Sequence, residues 1–270
     1  MPSPSRVAVS LAAAATLALA GIAAPSAAAP AAVTAPEGGY AALGDSYSSG
    51  VGAGGYLAGG GDCKRSANAY PALWQQAHAV AAFDFVACSG ATTAEVRARQ
   101  LSVLDGDTTL VTISAGGNDV GFAETIRTCV LGGDRDCSDA VARSMAYTRD
   151  RLPADLDDTY ARIRRQAPNA RLVVLGYPRL FELGTCLLGL SESKRRVLDQ
   201  AADTLVETTA GRAAAGGADF ADVRDRFAGH GVCGAQEWLH GLTLPVDESY
   251  HPTVTGQSRG YLPSLVAITG

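Results

Sequence analysis

Five short apolar runs restrict this chain more than any other feature of its sequence: residues 40–43, 83–87, 110–113, 171–175 and 218–223. Four of them stop at glycine or small polar residues. Their length and their aromatic or β-branched content mark them as buried strands rather than helices. Between them the period changes. Residues 70–79 start with Pro71 in a first helical turn and place Leu73, Trp74 and Ala77 on one side. Over residues 144–166, Met145, Leu152, Leu156, Tyr160 and Ile163 recur at spacings of 7, 4, 4 and 3, and Pro153 is expected to kink or restart that helix. A further helix is expected over 191–214, with Val197, Leu198, Ala201, Leu205 and Thr208 inward. Strands alternating with helices imply an α/β domain, a parallel sheet covered on both faces.

Open α/β sheets keep their sites beyond the carboxyl ends of the strands, so the residues that follow each run carry the chemistry. After the first run comes Gly44-Asp45-Ser46, a tight turn that leaves the Ser46 hydroxyl at the sheet edge. After the second come Cys88-Ser89-Gly90 and then Thr92, Thr93 and Glu95, which resemble a helix N-terminus, a natural site for an anion. After the third, Gly116-Gly117-Asn118-Asp119 lets the backbone approach closely and offers an amide donor from Asn118, although Gly-Asn-Asp is also ordinary turn chemistry. Serine alone is a poor nucleophile and needs a base and an anion-stabilising pocket. Of the four histidines, His251 is the candidate base, held in a loop before Pro252 and just after Asp247 and Glu248. An ordinary imidazole pKa of about 6.5 suits proton exchange near neutrality.

Gly50-Val51-Gly52-Ala53-Gly54-Gly55 formally fits a dinucleotide-binding motif, but it runs on into Tyr56-Leu57-Ala58-Gly59-Gly60-Gly61 instead of opening a helix. It reads as a flexible rim loop, and no cofactor is expected. Arg6 before an alanine-heavy run to Ala24, with small residues from Ser26 to Ala32, reads as a secretory leader over residues 1–29, cleaved within 26–32. Residues 30–270 then form one domain of roughly 240 residues. The chain is 47% hydrophobic with a net charge of −5, which excludes the dense basic face that nucleic-acid binding needs. All six cysteines lie beyond the leader. An even number in an oxidising compartment argues for disulfides, with the pairing left open by the count. Neither C-x-x-C nor H-E-x-x-H occurs, so no metal site is expected.

Gly-Asp-Ser-Tyr-Ser at 44–48, Gly90, Gly-Gly-Asn-Asp at 116–119 and His-Pro at 251–252, in that order, resemble the SGNH (GDSL) hydrolases. The resemblance spans nearly the whole chain beyond the leader and is nearest to the secreted bacterial lipases and phospholipases A1. It implies a three-layer α/β/α fold, flavodoxin-like, around a mostly parallel five-stranded sheet. It also implies Ser46 as nucleophile, His251 as base, and an oxyanion hole made by the Ser46 N–H, the Gly90 N–H and the Asn118 side chain. The implied disulfides are Cys63–Cys88, Cys129–Cys137 and Cys186–Cys233. Most members carry an aspartate three residues before the histidine, and this chain has Glu248 there. The His251 Nδ1–H therefore has two candidate acceptors, the Glu248 carboxylate and the Ser249 main-chain carbonyl. The carbonyl is preferred, because the longer glutamate need not reach where aspartate does.

The expected activity is hydrolysis of acylglycerol or phospholipid acyl esters through an acyl-serine, by an extracellular monomer that touches lipid surfaces transiently. Carbohydrate or small-molecule acetyl esters are the alternative substrates, and a catalytically inactive binding protein of the same fold is the non-enzyme alternative. The apolar loop 181–190 and the pair Trp238-Leu239 are expected to line the acyl trench.

Overall fold

The five apolar runs lie side by side as parallel strands: β1 (Gly39–Gly44), β2 (Ala82–Phe85), β3 (Thr108–Ser114), β4 (Arg171–Leu175) and β5 (Asp219–Ala221). Their order across the sheet is β2-β1-β3-β4-β5, and each neighbouring pair is parallel. The computed structural model describes residues 38–187 and 189–270, together with Met1. Beyond Met1, the leader expected over 1–29 lies outside the described residues.

Parallel neighbours need crossover connections, and helices supply them. Between the strands lie α1 (Ser46–Ser49), α2 (Tyr70–Ala77), α3 (Thr93–Arg99), α4 (Phe122–Leu131), α5 (Asp134–Asp150), α6 (Leu152–Gln166) and α7 (Glu192–Ala215), and after β5 come α8 (Arg224–Phe227) and α9 (Leu262–Thr269). Helix α2 packs with α9, and α6 packs with α3 and α7, which gives the layers above and below the sheet. The strands between them are fully buried at Val111, Ile113, Val173, Val174 and Leu175. Tyr40 meets Trp74 of α2 edge to face at 5.0 Å.

The helix expected over 144–166 is two helices. Pro153 sits in the first turn of α6, where a missing N–H breaks no intrahelical bond, and the chain restarts after Arg151. Helix α5 already begins at Asp134, whose neighbour Asp136 accepts the Gly133 N–H at 3.0 Å. Cys129 and Cys137 are joined across the α4–α5 turn, Cys63 is joined to Cys88, and Cys186 to Cys233.

Register brings the strand ends level. Gly44 of β1 pairs with Ser114 of β3, the Asp45 N–H donates to the Ser114 carbonyl at 3.0 Å, and the Cys88 N–H donates to the Gly44 carbonyl at 3.0 Å. The turns after β1, β2 and β3 thus meet at one edge. Glycine is required at 44: its φ of +118° is foreign to other residues, and a side chain would collide with the Ser114 carbonyl. The Gln100 amide clamps the same residue, accepting its N–H at 2.7 Å and donating to its carbonyl at 2.9 Å.

Candidate active site

Ser46 opens α1, a single turn with Asp45 as its N-cap and Gly50 in the left-handed conformation as its C-cap. The Asp45 carboxylate accepts the Tyr47 N–H at 3.0 Å, the Ser114 hydroxyl at 2.7 Å and the Tyr177 hydroxyl at 2.5 Å. One buried carboxylate therefore binds the serine turn to β3 and to the segment after β4. Burial pushes its pKa up to about 6, against the pull of its three donors. Burial likewise holds the Tyr177 hydroxyl well above its ordinary range, with the Asp45 charge adding to the effect. The sequence offers a capping aspartate before a turn as a signal for Asp45. It offers none for Tyr177, which arrives from far along the chain.

His251 Nε2 lies 2.8 Å from Ser46 Oγ, and its Nδ1 lies 3.0 Å from the Ser249 main-chain carbonyl. A proton on Nδ1 donated to that carbonyl leaves Nε2 free to accept from the serine. Of the two candidate acceptors, the carbonyl is the one in contact. The Glu248 carboxylate turns away and accepts the Tyr56 hydroxyl at 2.7 Å, and Asp247 forms an ion pair with Lys64. Tyr250, between carbonyl and imidazole, adopts φ +61°, and the Tyr47 hydroxyl donates to its carbonyl at 2.7 Å. Desolvation pushes the His251 pKa down to about 4, opposed by the Ser249 carbonyl and by the Asp247 charge.

Asn118 uses one amide hydrogen on the Ala91 carbonyl at 3.0 Å, which leaves the second for the cavity. The Ser46 and Gly90 N–H groups have no hydrogen-bond acceptor among the described residues, and both residues line the same cavity as Asn118. Asp119 joins the two loops by accepting the Thr93 N–H at 3.0 Å and the Thr93 hydroxyl at 2.6 Å. The α3 N-terminus expected as an anion site is therefore already occupied. Asp119 takes the Thr93 N–H, and Glu95 takes the Thr92 N–H at 2.9 Å in a capping box.

The cavity beside Ser46 and His251 encloses about 710 Å³ and is predominantly apolar. Its walls come from Phe122, Ile126 and Val130 of α4, with Leu180, Leu205 and Leu242 facing them. The expectation that loop 181–190 and Trp238-Leu239 form these walls is overturned. Phe181 is buried against Tyr250, Leu239 is fully buried, and Trp238 stacks on His230 at 3.7 Å. Leu183 and Leu187 are exposed away from the cavity. The true wall was visible as apolar residues four apart on α4, a spacing that puts them on one helical face. Among the described residues no group of three or more histidine, cysteine or acidic side chains is arranged to hold a metal ion.

A family model described as the GDSL-like Lipase/Acylhydrolase family matches residues 42–259. The chain belongs to this family. As a GDSL hydrolase it is a carboxylic ester hydrolase. This hydrolase is 52% identical over 257 residues to Lipase 1 of Streptomyces coelicolor, covering 95% of this chain and 94% of that protein. The crystal structure of phospholipase A1 from Streptomyces albidoflavus NA297 superposes with a TM-score of 0.84 at 49% identity, covering 85% of this chain and 98% of that one. An extracellular lipase from Streptomyces rimosus gives a TM-score of 0.84 at 52% identity, covering 85% of this chain and 99% of its own.

Proposed function

We propose that this GDSL hydrolase cleaves acyl esters of lipids, acylglycerols or phospholipids, by two-step acyl transfer through Ser46. The observation that carries the reading is the bond from Ser46 Oγ to His251 Nε2 at the wall of a large apolar cavity. In the first step Ser46 Oγ attacks the ester carbonyl while Nε2 takes its proton. The carbonyl oxygen, now an anion, is held by the Ser46 N–H, the Gly90 N–H and the Asn118 amide. His251 returns the proton to the departing alcohol. Water, deprotonated by the same imidazole, then attacks the acyl-serine and releases the acid. Here the histidine is steadied by a neutral carbonyl rather than a carboxylate, so the pair works as a dyad.

The apolar walls support a long acyl chain over an acetyl group. Exposed aliphatic side chains border the cavity: Leu131 is 75% exposed, Leu242 65% and Val246 63%. Such a patch suits transient contact with a lipid surface. The close relatives bear the names lipase and phospholipase A1. A leader over residues 1–29 and export are part of the same reading, supported by the alanine-heavy composition of that stretch after Arg6, by three disulfides and by the S. rimosus relative, which is described as extracellular. All catalytic groups come from one chain, so a monomer suffices.

A series of p-nitrophenyl esters tests the substrate class. Octanoate and longer esters are expected to exceed acetate in kcat/KM, and acetate far above octanoate overturns the lipid reading. A fluorophosphonate is expected to label Ser46 stoichiometrically, and a folded protein that resists labelling overturns the catalytic one.

A further inference from the structure

The glycine-rich segment after α1 supplies no group to the chemistry above, yet it is bound to the segment that carries the base. Tyr56 is held there by a single antiparallel bridge to Ser66, and its phenol oxygen accepts the Gly52 N–H at 3.1 Å. The same phenol donates to Glu248 at 2.7 Å. Lys64, next to the disulfide-bonded Cys63, is in the left-handed conformation at φ 49° and forms an ion pair with Asp247. Its ammonium lies 5.6 Å from the centre of the Tyr56 ring. The Ser89 N–H donates to the Cys63 carbonyl at 3.1 Å, so this segment is also fastened to the loop that presents Gly90.

On the other side of that contact is a short 3₁₀ turn, Val246–Glu248, followed directly by Ser249. The Glu248 N–H donates to the Pro245 carbonyl and the Ser249 N–H to the Val246 carbonyl, each at 3.0 Å. None of the residues of the turn is buried. A carbonyl that orients an imidazole is only as well placed as the turn that presents it, and here core packing does not hold the turn. Polar fastening has to do so. The Ser249 hydroxyl accepts the Thr243 N–H at 3.0 Å from within the same loop, whereas Tyr56 reaches Glu248 from a different part of the fold.

We propose that Tyr56 and Glu248 are positioning residues for the reaction. Their hydrogen bond holds the Val246–Glu248 turn so that the next carbonyl, that of Ser249, lies against Nδ1 of His251. The proposal rests on His251 being the general base. Glu248 acts through Tyr56 and the main chain. Its role is to accept a hydrogen bond and not to set a charge beside the imidazole.

Four variants test this with a soluble p-nitrophenyl ester, kcat and KM being measured separately. Tyr56→Phe and Glu248→Ala are each expected to lower kcat by about five- to tenfold with KM within about twofold, because a base displaced by a fraction of an ångström loses its alignment. The double variant Tyr56→Phe/Glu248→Ala is expected to be no slower than the slower single one, since both remove the same bond. Glu248→Gln, whose amide oxygen still accepts the phenol, is expected to recover most of the rate lost in Glu248→Ala. Tyr56→Phe within about twofold of the parent in kcat, or a double variant whose losses multiply, overturns the proposal. Glu248→Gln as slow as Glu248→Ala overturns it too, because the carboxylate charge is then what matters. Parent protein that turns over no ester overturns the functional reading and this proposal with it, whereas an active parent with indifferent variants overturns this proposal alone.

Discussion

Desolvation disfavours protonation of His251, and with His251 as the proposed general base this is expected to set the acid limit of activity. Displacing its pKa from 6.5 to about 4 disfavours the imidazolium by roughly 3 kcal/mol. The facing groups explain the sign. Desolvation by the surrounding loops dominates, the Ser249 carbonyl and the Asp247 charge oppose it, and His240 and Lys64 add smaller effects in the direction of desolvation. The base must be neutral to take the Ser46 proton. At pH 5.5 an ordinary imidazole is neutral in only about one molecule in ten, whereas with a pKa of about 4 well over nine in ten are neutral. The expected profile of kcat/KM for a short, soluble p-nitrophenyl ester is therefore flat from pH 8 to about 5.5, with its acid limb centred near 4. The release is read at a wavelength where nitrophenol and its anion absorb equally. Asp45, pushed up to about 6 beneath the serine turn, titrates inside this window, so the profile is repeated with Asp45→Asn. A limb centred at 6 or above in both proteins refutes the reasoning, because the imidazole is then solvated as in a free peptide.

The same displacement has a consequence for stability. Between pH 6.5 and about 4 the unfolded chain binds a proton at His251 that the folded chain refuses, so the contribution from this group is present above 6.5 and lost as pH falls through that window. Asp45 and Asp199, raised by burial to about 6 and about 7, act in the opposite direction over the same interval, so the expected result is a difference: on acidification Tm falls less, or rises more, in a folded His251→Phe variant than in the parent. Asn118→Ala is expected to lower kcat by about 10² to 10³ with little change in KM, and near-normal turnover in folded protein removes Asn118 from the oxyanion hole. Tyr160, on α6, has a buried hydroxyl with no hydrogen-bond partner among the described residues. Tyr160→Phe is therefore expected to stabilise the fold by roughly 1 kcal/mol, measured as a shift in denaturant midpoint at constant slope.

Individual residues show how far the sequence reading reached. The apolar runs and their glycine-bearing ends were legible as strands because a buried parallel strand has little freedom in composition. The serine turn was legible because only glycine tolerates the backbone before it, at Gly44. Thr92 and Glu95 were legible as a helix start, but the occupation of its N–H groups, which rules out the expected anion site, was not. Asp119 reaches in from the turn after β3, and no local pattern announces that. The cavity walls were misplaced for a similar reason. Phe181 and Leu239 are as apolar as Ile126 and Val130, and composition does not say which apolar residues fill the core and which line a cavity. The partner of Nδ1 depended on one residue, Tyr250, taking a left-handed conformation that tyrosine rarely adopts.

Local chemistry thus told in advance where strands begin and end, which residues follow them and which of those can attack, donate or accept a proton. These are properties of a few adjacent residues, set by backbone sterics and side-chain pKa. Which of them meet, and at what separation, was settled by the register of β1 against β3 and by contacts such as Asp45 with Tyr177 and Glu248 with Tyr56. Those contacts join residues more than a hundred positions apart, and they exist only once burial of the sheet has brought their loops to one edge.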